Sequence, residues 1–181
     1  DDASGIATIL EGVRAFLENK TAHKNDIIIL FSDSEELGLN GAALFVTKSN
    51  WAKEVGLVLN FEARGSAGPS YMLMEVNKGN ANMVKEFTAA NPSYPVSNSL
   101  MYSIYKMLPN DTDLTVFREQ GKIQGFNFAF IDNHFNYHTA QDDFNHLSPK
   151  TMEHQGTYLV PLLNYFSNSD LTSLQSGDDY V

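Results

Sequence analysis

The sequence predicts an α/β domain of three layers, a mostly parallel or mixed sheet lying between helices. Three observations carry this. Short apolar runs rich in β-branched and aromatic residues recur at 27–31, 55–61, 71–76 and 125–131, each too short for a buried helix. Stretches with helical spacing alternate with them, as in folds built on a parallel or mixed sheet. Acidic residues stand where several of the runs end, at the edge where open α/β sheets place their ligands. With 181 residues, 43% of them hydrophobic, the chain can bury the core of one domain, taken here as residues 1–181.

In chain order, apolar residues at 6, 9, 10, 13, 16 and 17 predict a first helix with one stripe toward the core, preceded by Ser4 and Gly5. After a polar turn, Ile27-Ile28-Ile29-Leu30-Phe31 shows no alternation and reads as a strand buried on both faces. Ser34-Glu35-Glu36-Leu37-Gly38 follows it, then a helix around 42–49. The next buried-type strand is 55–61, with Glu62 at its end. Glycines and a proline make 64–70 a loop. A strand at 71–76, helices at 80–90 and 97–107 and a proline-marked break at 91–96 come next. Residues 109–113 form a turn capping a helix at 114–120, and 125–131 is the last strand. The polar loop 132–147 carries His134, His138 and His146, and a loop of that length in a compact domain is more often functional than idle. Ser148 and Pro149 open a closing helix whose Tyr158, Leu159, Leu162, Leu163 and Phe166 face the core.

Charge and composition narrow the function. A net charge of −10 and the lack of a long basic cluster argue against nucleic acid or an anionic membrane surface as partner. No apolar run approaches the roughly 20 residues that span a bilayer. Without cysteine, a metal site must use carboxylates and imidazoles. Asp1, Glu36, Glu62 and His138 fall at the ends of successive predicted elements, and oxygen and imidazole donors suit zinc in a hydrolytic site. Glu35, beside a ligand but itself free, is placed to take a proton from an attacking water.

The wording of four motifs adds to this. Asp1-Asp2-Ala3-Ser4-Gly5, Ser34-Glu35-Glu36-Leu37-Gly38, Asn60-Phe61-Glu62-Ala63-Arg64-Gly65 and Tyr137-His138-Thr139-Ala140-Gln141-Asp142 occur in the order found in the M28 family of zinc peptidases, which the chain resembles over nearly its whole length. The resemblance implies a zinc-exopeptidase, phosphorylase/hydrolase-like fold and an aminopeptidase-type enzyme with two zinc ions per complete domain. It implies Asp1 as the bridging ligand, Glu36 with His138 on one zinc, Glu62 on the other, and Glu35 as general base for a metal-activated water. Tyr137 looks like the family's oxyanion-supporting tyrosine. Arg64 is a candidate for binding the peptide substrate, equally an arginine in a structural ion pair.

The family's first ligand, a histidine upstream of the bridging aspartate, has no counterpart, and neither do the strands that precede it. The expectation is a domain incomplete at its N-terminus, weak or inactive alone, with the remainder supplied by a segment of the same protein. Glu62-Ala63-Arg64-Gly65, the stretch 111–117 and Ser169-Asp170-Leu171 resemble the membrane-anchored vacuolar and endoplasmic-reticulum branch. That likeness implies an extracytoplasmic domain (periplasmic, secreted or lumenal), attached to the membrane only through segments outside this chain. The rival readings are a glutaminyl cyclase-like enzyme and a non-catalytic interaction domain of the same fold. His134 is read as a surface or supporting residue, His146 and His154 as ordinary polar residues, His23 as a turn residue, Asp143 as solvated, Asp142 as a group orienting a ligand, and Asp2 as equally that or a cap.

Overall fold

The structure, a computed structural model, describes residues 2–20, 22–107 and 111–180. Its centre is a mixed sheet in the order β1-β3-β2. Strand β1 (Val58–Ala63) runs parallel to β3 (Gly125–Phe130), and β2 (Tyr71–Glu75) runs antiparallel to β3 on its other side. Every residue of β3 is buried. A strand covered on both faces needs no polar alternation, which is why Gly-Phe-Asn-Phe-Ala-Phe becomes the central strand.

Helices cover both faces, giving the α/β layering predicted. On one face, Phe61, Phe126, Phe128, Met72 and Met74 pack with Phe16 of α1 (Ala3–Glu18), Phe87 of α3 (Ala81–Ala90) and Tyr158, Leu162 and Phe166 of α6 (Pro149–Phe166). On the other, Val58 joins Ala42 of α2 (Asn40–Lys48) and Leu114, Val116 and Phe117 of α5 (Asp113–Glu119). Helix α4 (Ser99–Met107) packs beside β2. No helix among the described residues is long and apolar enough to cross a membrane.

Two sequence expectations are corrected. Residues 27–31 form no strand, and Ile28, Ile29 and Phe31 are 37%, 43% and 48% exposed. Their apolar composition permits a buried strand, but a strand also needs a ladder partner, and β1 pairs only with β3 among the described residues. Only Ile27 and Leu30 of this run reach the two core clusters. The second correction is in α1, which buries Ser4, Gly5, Thr8, Gly12 and Phe16 and leaves Ile6, Leu10 and Leu17 exposed. Close approach selects that face: a Cβ on Gly12 would lie 2.4 Å from Leu159 of α6. The small residues let α1 touch α6; of the predicted stripe, Phe16, Ile9 and Val13 reach the core, while Ile6, Leu10 and Leu17 are turned aside.

Candidate active site

The N-terminus of α1 abuts the carboxyl end of β1. A Cβ on Gly5 would sit 2.5 Å from the Phe61 carbonyl oxygen and 2.6 Å from Asp2 Oδ1, so the glycine of the first motif is what brings that motif to the end of the strand carrying Glu62. Helix α6 ties the same corner. The buried Gln155 accepts from Thr8 Oγ1 at 3.2 Å and donates to the carbonyls of Glu62 and Phe128 at 3.2 and 3.3 Å.

The loop after Glu62 is crossed by the loop after β3. The Ser66 and Ala67 amides donate to the Asp132 carbonyl, and a Cβ at Gly65 would lie 2.3 Å from that oxygen. Buried Asn136 donates to Ser66 Oγ at 2.7 Å, which fixes the turn that presents Tyr137 and His138. His138 has a positive φ of 57°, a left-handed conformation uncommon for its type, and its ring stacks on Tyr137 with centroids 3.8 Å apart.

The paired acids stand in a turn rather than at a strand end. The Gly38 and Leu39 amides donate to the Glu35 carbonyl, and Ser34 and Leu39 have φ of 61° and 58°. Held there, Glu36 Oε1 meets His138 Nε2 at 2.5 Å, joining motifs 102 residues apart. Both side chains are about half exposed, and Glu36 lines a cavity of about 390 Å³ together with Glu35, Gly38, Leu39, Arg64 and Asp111.

The acids beside this cavity carry an electrostatic imbalance. Burial first, then the charge of Asp2, pushes the Glu62 carboxyl up to about 8, against a hydrogen bond from Asn60 that lowers it. Asp2, although an exposed residue overall, has its carboxyl desolvated and pushed up to about 7, with Asp113 and Glu35 adding repulsion. Glu35 is raised by burial and by the charges of Glu36 and Asp113, with Arg64 and His138 acting the other way. Tyr137 is raised by desolvation and lowered by Arg64. Asp113, at the first turn of α5, accepts a hydrogen bond from Ser32 through Oδ2, and its buried Oδ1 has no hydrogen-bond partner among the described residues.

Of the residues singled out in the sequence, Glu36 and His138 meet directly, Glu35 and Arg64 line the same cavity, and Tyr137 stacks on the histidine. Glu62 lies within electrostatic reach of Glu35. Asp1 lies outside the described residues. Among those described, no three His, Asp or Glu side chains converge as a ready ligand set. The donor chemistry nevertheless fits a divalent cation, because oxygen and imidazole donors and crowded acids form a group whose repulsion a cation relieves. His134 is exposed, and His154 is structural, accepting from the Ser70 amide at 3.0 Å through Nδ1. Asp113 and Asn60 were missed. Asp113 has the sequence signature of a helix cap, and nothing in the sequence shows that it faces Glu35.

An α/β domain that assembles acids and an imidazole beside the carboxyl end of a strand has the layout of a metal-assisted hydrolase. This chain belongs to peptidase family M28, whose profile matches residues 1–163. It is 27% identical over 182 residues to endoplasmic reticulum metallopeptidase 1 of Rattus norvegicus, covering 99% of this chain and 20% of that protein. It is 31% identical over 181 residues to the vacuolar membrane protease of Candida tropicalis, covering 99% of this chain and 19% of that protein. A putative endoplasmic reticulum metallopeptidase 1-B of Caenorhabditis elegans is 28% identical over 171 residues, covering 93% and 19%. The chain spans about a fifth of the length of these relatives. No solved structure matches it.

Proposed function

We propose that this domain is the catalytic part of a zinc-dependent, aminopeptidase-type metallopeptidase that hydrolyses peptide bonds, with Asp1, Glu36, Glu62 and His138 as metal ligands. The observation that carries the reading is the 2.5 Å contact of His138 Nε2 with Glu36 Oε1 beside Glu35, since imidazole and carboxylate from distant motifs meet next to a free acid. Bound zinc would polarise the scissile carbonyl and lower the pKa of a water.

The chain's own residues do the rest. Glu35, whose proton affinity is raised by burial and neighbouring acids, takes the proton from the attacking water and returns it to the leaving amine. The Tyr137 hydroxyl supports charge developing on the carbonyl oxygen. Arg64, at the cavity wall, orients the substrate's carbonyl or carboxylate. A further imidazole supplied by a segment of the same protein outside this chain would complete the ligands beside Glu62. The names of the relatives support an extracytoplasmic domain attached to the membrane through other segments.

Glu35→Gln tests the reading. It keeps the shape of the base and removes its function, so kcat on peptide amides should fall on the order of 10²–10⁴-fold while bound zinc, measured by elemental analysis, stays unchanged. Unaltered kcat would refute the role.

A further inference from the structure

The sheet face toward α4 and α5 carries a line of buried polar groups that starts at Glu62. Asn60, two residues earlier on β1, donates from Nδ2 to Glu62 Oε1 at 2.9 Å and to Asn127 Oδ1 at 3.1 Å. Asn127 is the β3 residue in register with Asn60 and is 1% exposed. With Oδ1 engaged by Asn60, its amide nitrogen is left for the side where the Tyr105 hydroxyl of α4 lies, beside Asn127 and Thr112. Tyr105 donates to Glu75 Oε1 at 2.8 Å, and Arg118 Nε donates to Glu75 Oε2 at 2.7 Å. Glu75 is 5% exposed and also accepts from Thr115 Oγ1 at 3.1 Å.

The line has one polarity. An ionised carboxylate can only accept, so Glu75, paired with Arg118, requires the Tyr105 hydroxyl to point toward it. The tyrosine oxygen then favours the Asn127 amide nitrogen on its side, which leaves Asn127 Oδ1 for Asn60, as observed. Asn60 must answer with N–H, and its second N–H falls on Glu62. A reversed Asn60 would set an oxygen against the Glu62 carboxylate in a buried site. Among the described residues Glu62 Oε2 has no hydrogen-bond partner, so one oxygen is fixed and the other is left to the site.

We propose that Asn60, Asn127 and Tyr105 are positioning residues that hold the Glu62 carboxylate in ligand orientation, with the Glu75–Arg118 ion pair at the far end of the sheet setting the direction of the line. This rests on Glu62 being a metal ligand, as proposed above. Partners that orient a ligating carboxylate commonly change metal affinity by 10- to 100-fold when removed.

The test is zinc affinity of the full-length protein by chelator competition, with thermal midpoints recorded alongside. Tyr105→Phe removes one hydroxyl and Asn127→Leu removes the central amide at similar volume. Leu73→Ala is the control, because Leu73 is a buried β2 residue in register with Asn127 but off the line. Tyr105→Phe and Asn127→Leu should each weaken zinc binding about tenfold or more, while Leu73→Ala lowers the thermal midpoint and leaves affinity unchanged. If Asn127→Leu fails to fold, Tyr105→Phe decides alone. Zinc affinity lost in Glu62→Ala but unchanged in Tyr105→Phe overturns this inference only. Affinity unchanged in Glu62→Ala overturns the ligand assignment and this inference with it.

Discussion

Replacing Glu62 with glutamine removes a charge that the domain without metal holds only at a cost. Glu62 shifts from an ordinary 4.5 to about 8 through burial and the repulsion of Asp2. A carboxyl whose folded value exceeds its unfolded one keeps its proton on folding, so its effect on stability is absent below about 4.5 and grows as pH rises toward about 8. Stability of the metal-free chain should therefore fall across that window. At about 1.4 kcal/mol per pH unit the full difference is about 5 kcal/mol; local relaxation and entering water reduce this to about half. In Glu62→Gln the fall should be smaller, with the part due to Asp2 remaining, because the amide still accepts from Asn60 and carries no charge. Urea denaturation of the 181-residue chain in EDTA at pH 5 and pH 8.5 measures it, the two proteins agreeing more closely at pH 5 and the variant being more stable by roughly 2–3 kcal/mol at pH 8.5. Added zinc should reverse the order at pH 8.5, because the carboxylate then has its cation. Parallel pH slopes for the two proteins would refute the claim that Glu62 carries the imbalance.

Two further outcomes follow from the packing at the same corner. Gly5→Ala puts a methyl group 2.5 Å from the Phe61 carbonyl oxygen, so α1 must shift from β1, lowering stability by about 1–3 kcal/mol. Zinc affinity should fall with it, and a variant with unchanged midpoint and affinity would show that the approach is not needed. Gln155→Leu strands Thr8 Oγ1 and removes the donor to two backbone carbonyls, for an expected loss of about 2–4 kcal/mol in thermal denaturation; a loss below about 0.5 kcal/mol would mean those groups find other partners.

The candidate residues Glu35, Glu36, Glu62, Arg64, Tyr137 and His138 were legible from their positions after apolar runs and from family wording, because those signals are local; in the structure Glu35, Glu36 and Arg64 line one cavity and His138 meets Glu36. Asp113 was not legible as part of the site, since a helix N-terminus explains an aspartate without any ligand. Asn60 and Asn127 looked like incidental polar residues in strands, and their meeting depends on the register of β1 with β3. The run 27–31 misled because composition reports the capacity to be buried, whereas burial itself depends on which neighbours are in place.

The sequence by itself determined the alternation of helices and strands, the hydrolase motifs and the absence of thiolate chemistry, because these depend on residue type and short spacing. Only the tertiary structure decided which face of α1 is buried, that the paired acids occupy a turn, and that a polar line joins Glu62 to Glu75. The first and last of those depend on distances between segments tens of residues apart, which small residues such as Gly12 help to set by letting α1 approach α6; the second depends on which strands find ladder partners.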